Sequence, residues 1–309
     1  MPQELAPYAP AGCFQSDLAV SDDSPPRRIF VSIPQGEPPA GGWPFLFMSD
    51  GNACFPGATG VAQVQSPYPE GTNVEPGVLV AIGYPGTASY DFHRRSFDLS
   101  PPPKKTLPPA TDDGRPVRIG GADELLDFIE GSLLPWIADL APIDTGRRML
   151  FDHSFGGLFT LHALFTRPHI FTTWIAASPA IFWDDAVILG TEAARRRHDA
   201  PPRLLHLSVG EHEGDSFAPF QLDHADAPER LAQKAQTRTV AHAREMVARL
   251  AGEGDRVPAD IVPYFEVFAG ENHMSVLTVA LGRAVQIAFS ITPAQSWLPG
   301  QSGLKERIP

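Results

Sequence analysis

Lysine is scarce in this chain: it supplies four of the 24 cationic residues. That shortage is a compositional bias without functional weight. The wider shortage of positive charge does carry weight. Lys plus Arg number 24 against 36 Asp plus Glu, a formal charge of −12. Nucleic acid and anionic membranes are held by clustered Lys and Arg, so neither is expected as a partner. Cysteine is rarer still, Cys13 and Cys54 being the two present, too few for a disulfide framework. No apolar run is long enough to span a bilayer. The first residues, MPQELAPYAPAGCF, have neither a basic nor an apolar region, so they do not read as a signal peptide. The expected location is the cytoplasm, or the periplasm if a signal peptide has been removed. No internal repeat is found.

What the chain has in excess is proline, 33 of 309 residues, about twice the usual share. Proline is excluded from helix interiors and central strands, so the excess is expected in stiff connections outside the core strands. With 43% hydrophobic residues the chain can build a large core. Residues 1–26 read as a Pro-rich extension that wraps the surface or frays, 27–292 as one domain, and 293–309 as a tail.

Within the domain, short apolar runs without helical period read as buried strands: RRIFVSIP, WPFLFMSD, GVLVAIGYP, RRMLFDHS, TTWIAAS, RLLHLSVGE and PYFEVFAG. Between them lie amphipathic helical stretches: ADELLDFIEGSLLPWIADL with a kink at Pro135, FGGLFTLHALFTRP, one long helix over 228–251, and SVLTVALGRAVQIAF. Residues 86–119 read as a long irregular excursion, and excursions of that length inside a domain are usually functional. Strands alternating with helices imply a mostly parallel central sheet with helices on both faces, an α/β fold.

The chemistry concentrates at MLFDHSFGGLFTLHALF, where a buried strand becomes a helix at His153-Ser154-Phe155-Gly156-Gly157. A sharp strand-to-helix turn lifts its central residue above the sheet, and the glycines let the helix start close to neighbouring strands. Ser154 in this setting is a candidate nucleophile. It needs a histidine base and an acid that orients the base, in the chain order Ser, acid, His. His273, on the loop after the last strand, has the position for the base. In SVGEHEGD, Glu213 is the favoured acid, with Glu211 and Asp215 as alternatives.

These segments resemble the bacterial esterase group of the α/β-hydrolase superfamily that includes siderophore trilactone esterases, those acting on enterobactin, salmochelin and bacillibactin. The resemblance rests on PFLFMSDGNACF, VAIGYP, RRSFDLSPP, GGADELLDFIEGSLLPWI, DHSFGGLFTLHALFTRP, AASPAIFW and FAGENHMSV, in order over 27–289. It implies the α/β-hydrolase fold, Ser154 as nucleophile, His273 as base, and ester hydrolysis through an acyl-enzyme with no metal or organic cofactor. A small-molecule ester is then the partner, with a siderophore trilactone among the candidates. The backbone N–H groups of Asn52 and Phe155 are the expected oxyanion hole.

Arg95 and Asp98 match an Arg-x-x-Asp of the group. Arg95 could bind an anionic substrate group, or the two could be a structural pair anchoring the loop. Trp183 is expected as a pocket wall, although a core tryptophan would read the same. The segments 86–119 and 184–202 are expected to build the pocket. Asp152 departs from the Gly-x-Ser-x-Gly pattern at its first glycine. A carboxylate buried there is costly unless paired or protonated. It also fills space that glycine leaves to its neighbours, so Asp152→Gly is expected to match or exceed the parent kcat/KM on p-nitrophenyl acetate. Two rival readings use the same framework. One is a hydrolase of another ester or thioester, such as S-formylglutathione or a feruloyl ester; the other is a non-catalytic hydrolase-fold binding protein, suggested by Asp152.

Overall fold

The structure, a computed structural model, describes residues 8–20, 26–105, 114–196, 201–214, 216–253 and 260–298. Eight strands form one sheet: β1 (Cys13–Leu18), β2 (Arg27–Ser32), β3 (Trp43–Met48), β4 (Val78–Gly83), β5 (Ile143–His153), β6 (Thr173–Ala177), β7 (Arg203–Gly210) and β8 (Ile261–Phe268). Their spatial order is β1-β2-β4-β3-β5-β6-β7-β8. The β1/β2 and β2/β4 pairs are antiparallel and the remaining pairs parallel.

Alternation along the strands explains why the apolar runs read as continuous. Phe45, Phe47, Val78, Val80 and Leu150 point into one core, under the helices Ala122–Phe128, Phe155–Thr166 and Thr239–Glu253. Leu46, Met48, Leu79, Ala81, Met149 and Phe151 point into the other, under the helices Gly51–Gln65 and Val276–Ala288. Both faces are covered, so both strand faces must be apolar.

Several elements differ from the sequence reading. The N-terminal extension is not merely a wrap: Cys13–Leu18 adds the edge strand β1, fixed to β2 by the Arg28–Asp17 pair at 2.6 Å. The excursion contains the helix Phe92–Asp98, whose N-cap is Asp91, its side chain accepting from Arg94 N–H at 3.0 Å; residues 106–113 lie outside the described residues. The single long helix over 228–251 is two, Ala227–Thr237 and Thr239–Glu253, broken at Arg238 with φ of 46°. Thr237 contributes to the break, because its Oγ1 donates to the Lys234 carbonyl at 2.8 Å, the local competition that weakens threonine in helices. The kink at Pro135 is a π-helical turn (Ile129–Leu133) that lets the helix resume at Leu134–Leu140 with Pro135 in its first turn.

Proline also enters regular elements after all. Pro44 sits in β3 at the register irregularity between Trp43 and Phe45, and Pro263 sits in the edge strand β8. Bulges and edge strands are the places where a strand can do without one N–H. Pro56 lies inside the helix Gly51–Gln65. The tail begins packed, with Leu298 buried; residues 299–309 lie outside the described residues.

Candidate active site

The residues singled out by sequence gather at the carboxyl ends of the parallel strands, where open α/β sheets leave room for ligands. Ser154 follows β5 with φ 59° and ψ −116°, a strained conformation for a residue with a Cβ. The neighbourhood holds it there: Ser154 N donates to the Ala177 carbonyl at 2.9 Å, and its own carbonyl accepts from Ala180 N–H at 3.0 Å. Gly157 is required by the close approach of the helix to the loop after β6, since a Cβ there would lie 3.0 Å from Pro179 Cα.

Ser154 Oγ lies 2.8 Å from His273 Nε2, and His273 Nδ1 lies 2.6 Å from Glu213 Oε2. A carboxylate only accepts, so Nδ1 carries the proton and Nε2 of the neutral ring accepts from the Ser154 hydroxyl. Glu213 is 3% exposed, and its second oxygen accepts from Ser178 Oγ at 2.5 Å and Gly210 N–H at 2.7 Å. Burial opposes ionisation of Glu213, but the hydrogen bond and charge of His273, with the bonds from Ser178 and Gly210, outweigh it and hold the carboxyl below its usual range. Glu211 turns away and accepts from Gly270 N–H at 2.7 Å. Asp215 lies outside the described residues.

Asn52 and Phe155 stand in the first turns of the helices Gly51–Gln65 and Phe155–Thr166, where amides have no intrahelical partner. The Asn52 side chain fastens its loop to the end of β4, accepting from Tyr84 N–H at 2.8 Å and donating to the Gly86 carbonyl at 3.0 Å. Gly83 makes room for it: a Cβ there would lie 2.3 Å from Asn52 Oδ1.

Arg95 does not pair with Asp98. Its guanidinium bonds Asp50, with Nη2 at 2.9 Å from Oδ2, and lies over the Tyr90 and Phe155 rings. Asp98 is instead paired with Arg27 at 2.6 and 2.9 Å, both residues buried. Asp50 also accepts from Tyr84 Oη at 2.6 Å and has a left-handed φ of 48°. Trp183 packs edge-on against Phe155, centroids 5.6 Å apart.

Two cavities flank His273 and Met274. One, of about 290 Å³, is lined by Tyr90, Phe92, Arg95, His153 and Ser154; the other, of about 400 Å³, by Phe182, Phe217 and Arg230 among others. The excursion 86–119 thus contributes as expected, whereas none of the described residues of 184–202 lines either cavity. Residues 212–239 do so instead.

Four supporting residues escape a sequence reading. Ser178 and Asp50 could have been suspected only as polar residues just past strand ends; Tyr84 reads as an ordinary strand-end tyrosine. His153 lies inside the motif, ring centroid 4.8 Å from that of His273. Burial and then repulsion from His273 push its imidazole down to about 3, so it stays neutral and adds no charge beside His273. Asp152 is 1% exposed, and its Oδ1 accepts from both Ser49 N–H and Ser49 Oγ at 2.7 Å.

The chain was compared with known proteins on this basis. Residues 24–256 match the family model described as putative esterase. A siderophore triacetylfusarinine C esterase of Aspergillus fumigatus is 36% identical over 299 residues, covering 92% of this chain and 94% of the relative. The ferri-bacillibactin esterase BesA of Bacillus subtilis is 35% identical over 267 residues, covering 85% and 84%. The solved siderophore hydrolase EstB of Aspergillus nidulans superposes with a TM-score of 0.77 at 30% identity, covering 94% of this chain and 98% of that one. No helix among the described residues is long and apolar enough to cross a membrane. The chain belongs to the esterase family, built on the α/β-hydrolase fold.

Proposed function

We propose that the chain is a serine carboxylesterase that works through an acyl-enzyme. The observation that carries this reading is the continuous hydrogen-bond relay from Ser154 Oγ through His273 to Glu213, opening on a cavity. Ser154 Oγ attacks the ester carbonyl as its proton passes to His273 Nε2, and the carbonyl oxygen becomes an oxyanion held by the Phe155 and Asn52 amides. His273 then protonates the departing alkoxide, leaving an acyl-Ser154. Water, losing its proton to His273, attacks the acyl carbon, and as the acyl C–O bond breaks His273 returns that proton to Ser154 Oγ, releasing the acid and the free serine. Glu213 keeps Nδ1 protonated and stabilises the imidazolium formed twice in the cycle.

The named activities of the relatives support a siderophore ester as the substrate class. Two cavities meeting at His273 suit an ester with bulk on both sides of the scissile bond, as in a trilactone. Arg95, already engaged by Asp50, shapes the cavity wall and anchors the excursion. Trp183 supports Phe155 through its edge-on ring contact.

A substrate panel tests this reading: a ferric triscatecholate trilactone, a feruloyl ester, S-formylglutathione and p-nitrophenyl acetate. The trilactone is expected to give the highest kcat/KM, and Ser154→Ala to lose at least about a thousandfold on every substrate turned over. Preference for the thioester or feruloyl ester would overturn the substrate class. Hydrolysis that survives Ser154→Ala would overturn the mechanism.

A further inference from the structure

Asp152 occupies the first glycine position of the elbow, and its side chain fills the space in front of Gly156, where a Cβ would meet Asp152 Cβ at 2.9 Å. Its Oδ1 takes both donors of Ser49, the residue that follows β3. Ser49 leads directly into Asp50 and, two positions on, to the Asn52 amide. Asp50 is left-handed, and this same loop is gripped from the other side by Arg95 and Tyr84. The bonds between Asp152 and Ser49 therefore join the strand that ends in the nucleophile to the loop that ends in one oxyanion donor.

We propose that Asp152 is a positioning residue: through Ser49 it fixes the Asn52 amide relative to Ser154, a side-chain clasp at the position where the Gly-x-Ser-x-Gly elbow pattern has a glycine. The proposal rests on the serine mechanism above. It reverses the expectation that a glycine at 152 would be harmless or better. Removing the carboxyl leaves Ser49, 3% exposed, with a buried amide and hydroxyl lacking their acceptor. The loop must then shift to satisfy them, and displacements of this kind near reacting atoms are costly in rate.

The clasp also has a protonation state. Burial pushes the Asp152 carboxyl up to about 8, the Ser49 bonds oppose the rise, the Asp50 charge adds to it, and Arg95 opposes it. The titratable groups facing it are Asp50, Arg95 and the buried Cys54 thiol, whose own ionisation is disfavoured first by burial and then by Asp50 and Asp152. The facing strand β6 presents Ala176 and the helix presents Gly156, neither of which is charged. A carboxyl shifted in this direction is mainly the uncharged acid at neutral pH. Above pH 8 it becomes an anion behind the oxyanion loop, where a negative charge disfavours the transition state.

The test measures kcat and KM on p-nitrophenyl acetate from pH 6 to 9 for wild type, Asp152→Gly, Asp152→Asn and Ser49→Ala, with fluorophosphonate labelling of wild type and Ser154→Ala as reference. Asp152→Gly is expected to lower kcat at least about tenfold while KM stays within about threefold. Asp152→Asn keeps the acceptor oxygen and is expected to stay within about threefold of wild type at pH 7. Wild-type kcat falls above pH 8 on a limb that Asp152→Asn lacks. A glycine variant with wild-type kcat, or an asparagine variant as impaired as the glycine one, would overturn the proposal. If the glycine variant does not fold, Ser49→Ala decides, with a several-fold fall in kcat expected and an unchanged kcat fatal to the idea. Labelling that persists in Ser154→Ala would sink the serine mechanism and this proposal with it. Labelling lost in Ser154→Ala, beside an unimpaired glycine variant, would sink this proposal alone.

Discussion

Glu213 carries the heaviest demand of any single residue, because it decides which nitrogen of His273 holds the proton. A Gln at 213 keeps the volume but can turn an amide N–H toward Nδ1 and reverse the tautomer. On the proposed mechanism Glu213→Gln lowers kcat by about 10³–10⁴, the cost seen for the equivalent change in a serine protease triad, with KM little altered. Steady-state kinetics at pH 7 check this, and a loss under tenfold would argue that another carboxylate orients the ring. The sequence offered Glu211, Glu213 and Asp215 within five positions, and spacing alone could not choose. The turn after β7 buries Glu213 against Ser178 and beside His273 and sends Glu211 to Gly270, while Asp215 lies outside the described residues. The Arg95–Asp98 pairing that the sequence suggests fails for the opposite reason. Asp98 is three positions away, as a helical pair would be, but the real partner is Asp50, 45 positions earlier, and no local pattern reveals it.

At the scale of elements, the helix Phe92–Asp98 brings Arg95, Phe92 and the preceding Tyr90 to the cavity, and a buried ion pair holds it to the sheet. Arg27 and Asp98 are each 6% exposed. Removing one partner of such a pair strands the other charge, at a cost of about 3–5 kcal/mol. Arg27→Met is therefore expected to lose about 3 kcal/mol in urea unfolding, and the double change Arg27→Met with Asp98→Leu to recover most of it. A single variant within about 1 kcal/mol of wild type would show that the pair does not anchor the helix. Strands were the legible elements, because seven apolar runs bounded by Gly, Pro and Asn have few other ways to be buried. Less legible were elements set by tertiary partners. The strand β1 gains its stability from pairing with β2 rather than from its own half-exposed sequence. The break at Arg238 interrupts a run whose composition suits one helix.

Across the whole molecule, one sheet gathers residues from β3, β4, β5, β6, β7 and β8 at one edge, so that groups as distant in sequence as Asn52 and His273 share a site. On the proposed function, the two cavities beside His273 are the place of recognition. The helices over both faces and the glycines at the elbow serve to hold Ser154 in its strained turn, with its hydroxyl toward His273. The central claim is that this hydroxyl is the nucleophile. Its most direct test is the mass of the protein and of its digested peptides after reaction with a fluorophosphonate. The account predicts a single adduct on the peptide carrying Ser154, absent from Ser154→Ala and much slowed in His273→Ala. An adduct on another residue, or one that survives Ser154→Ala, would contradict it.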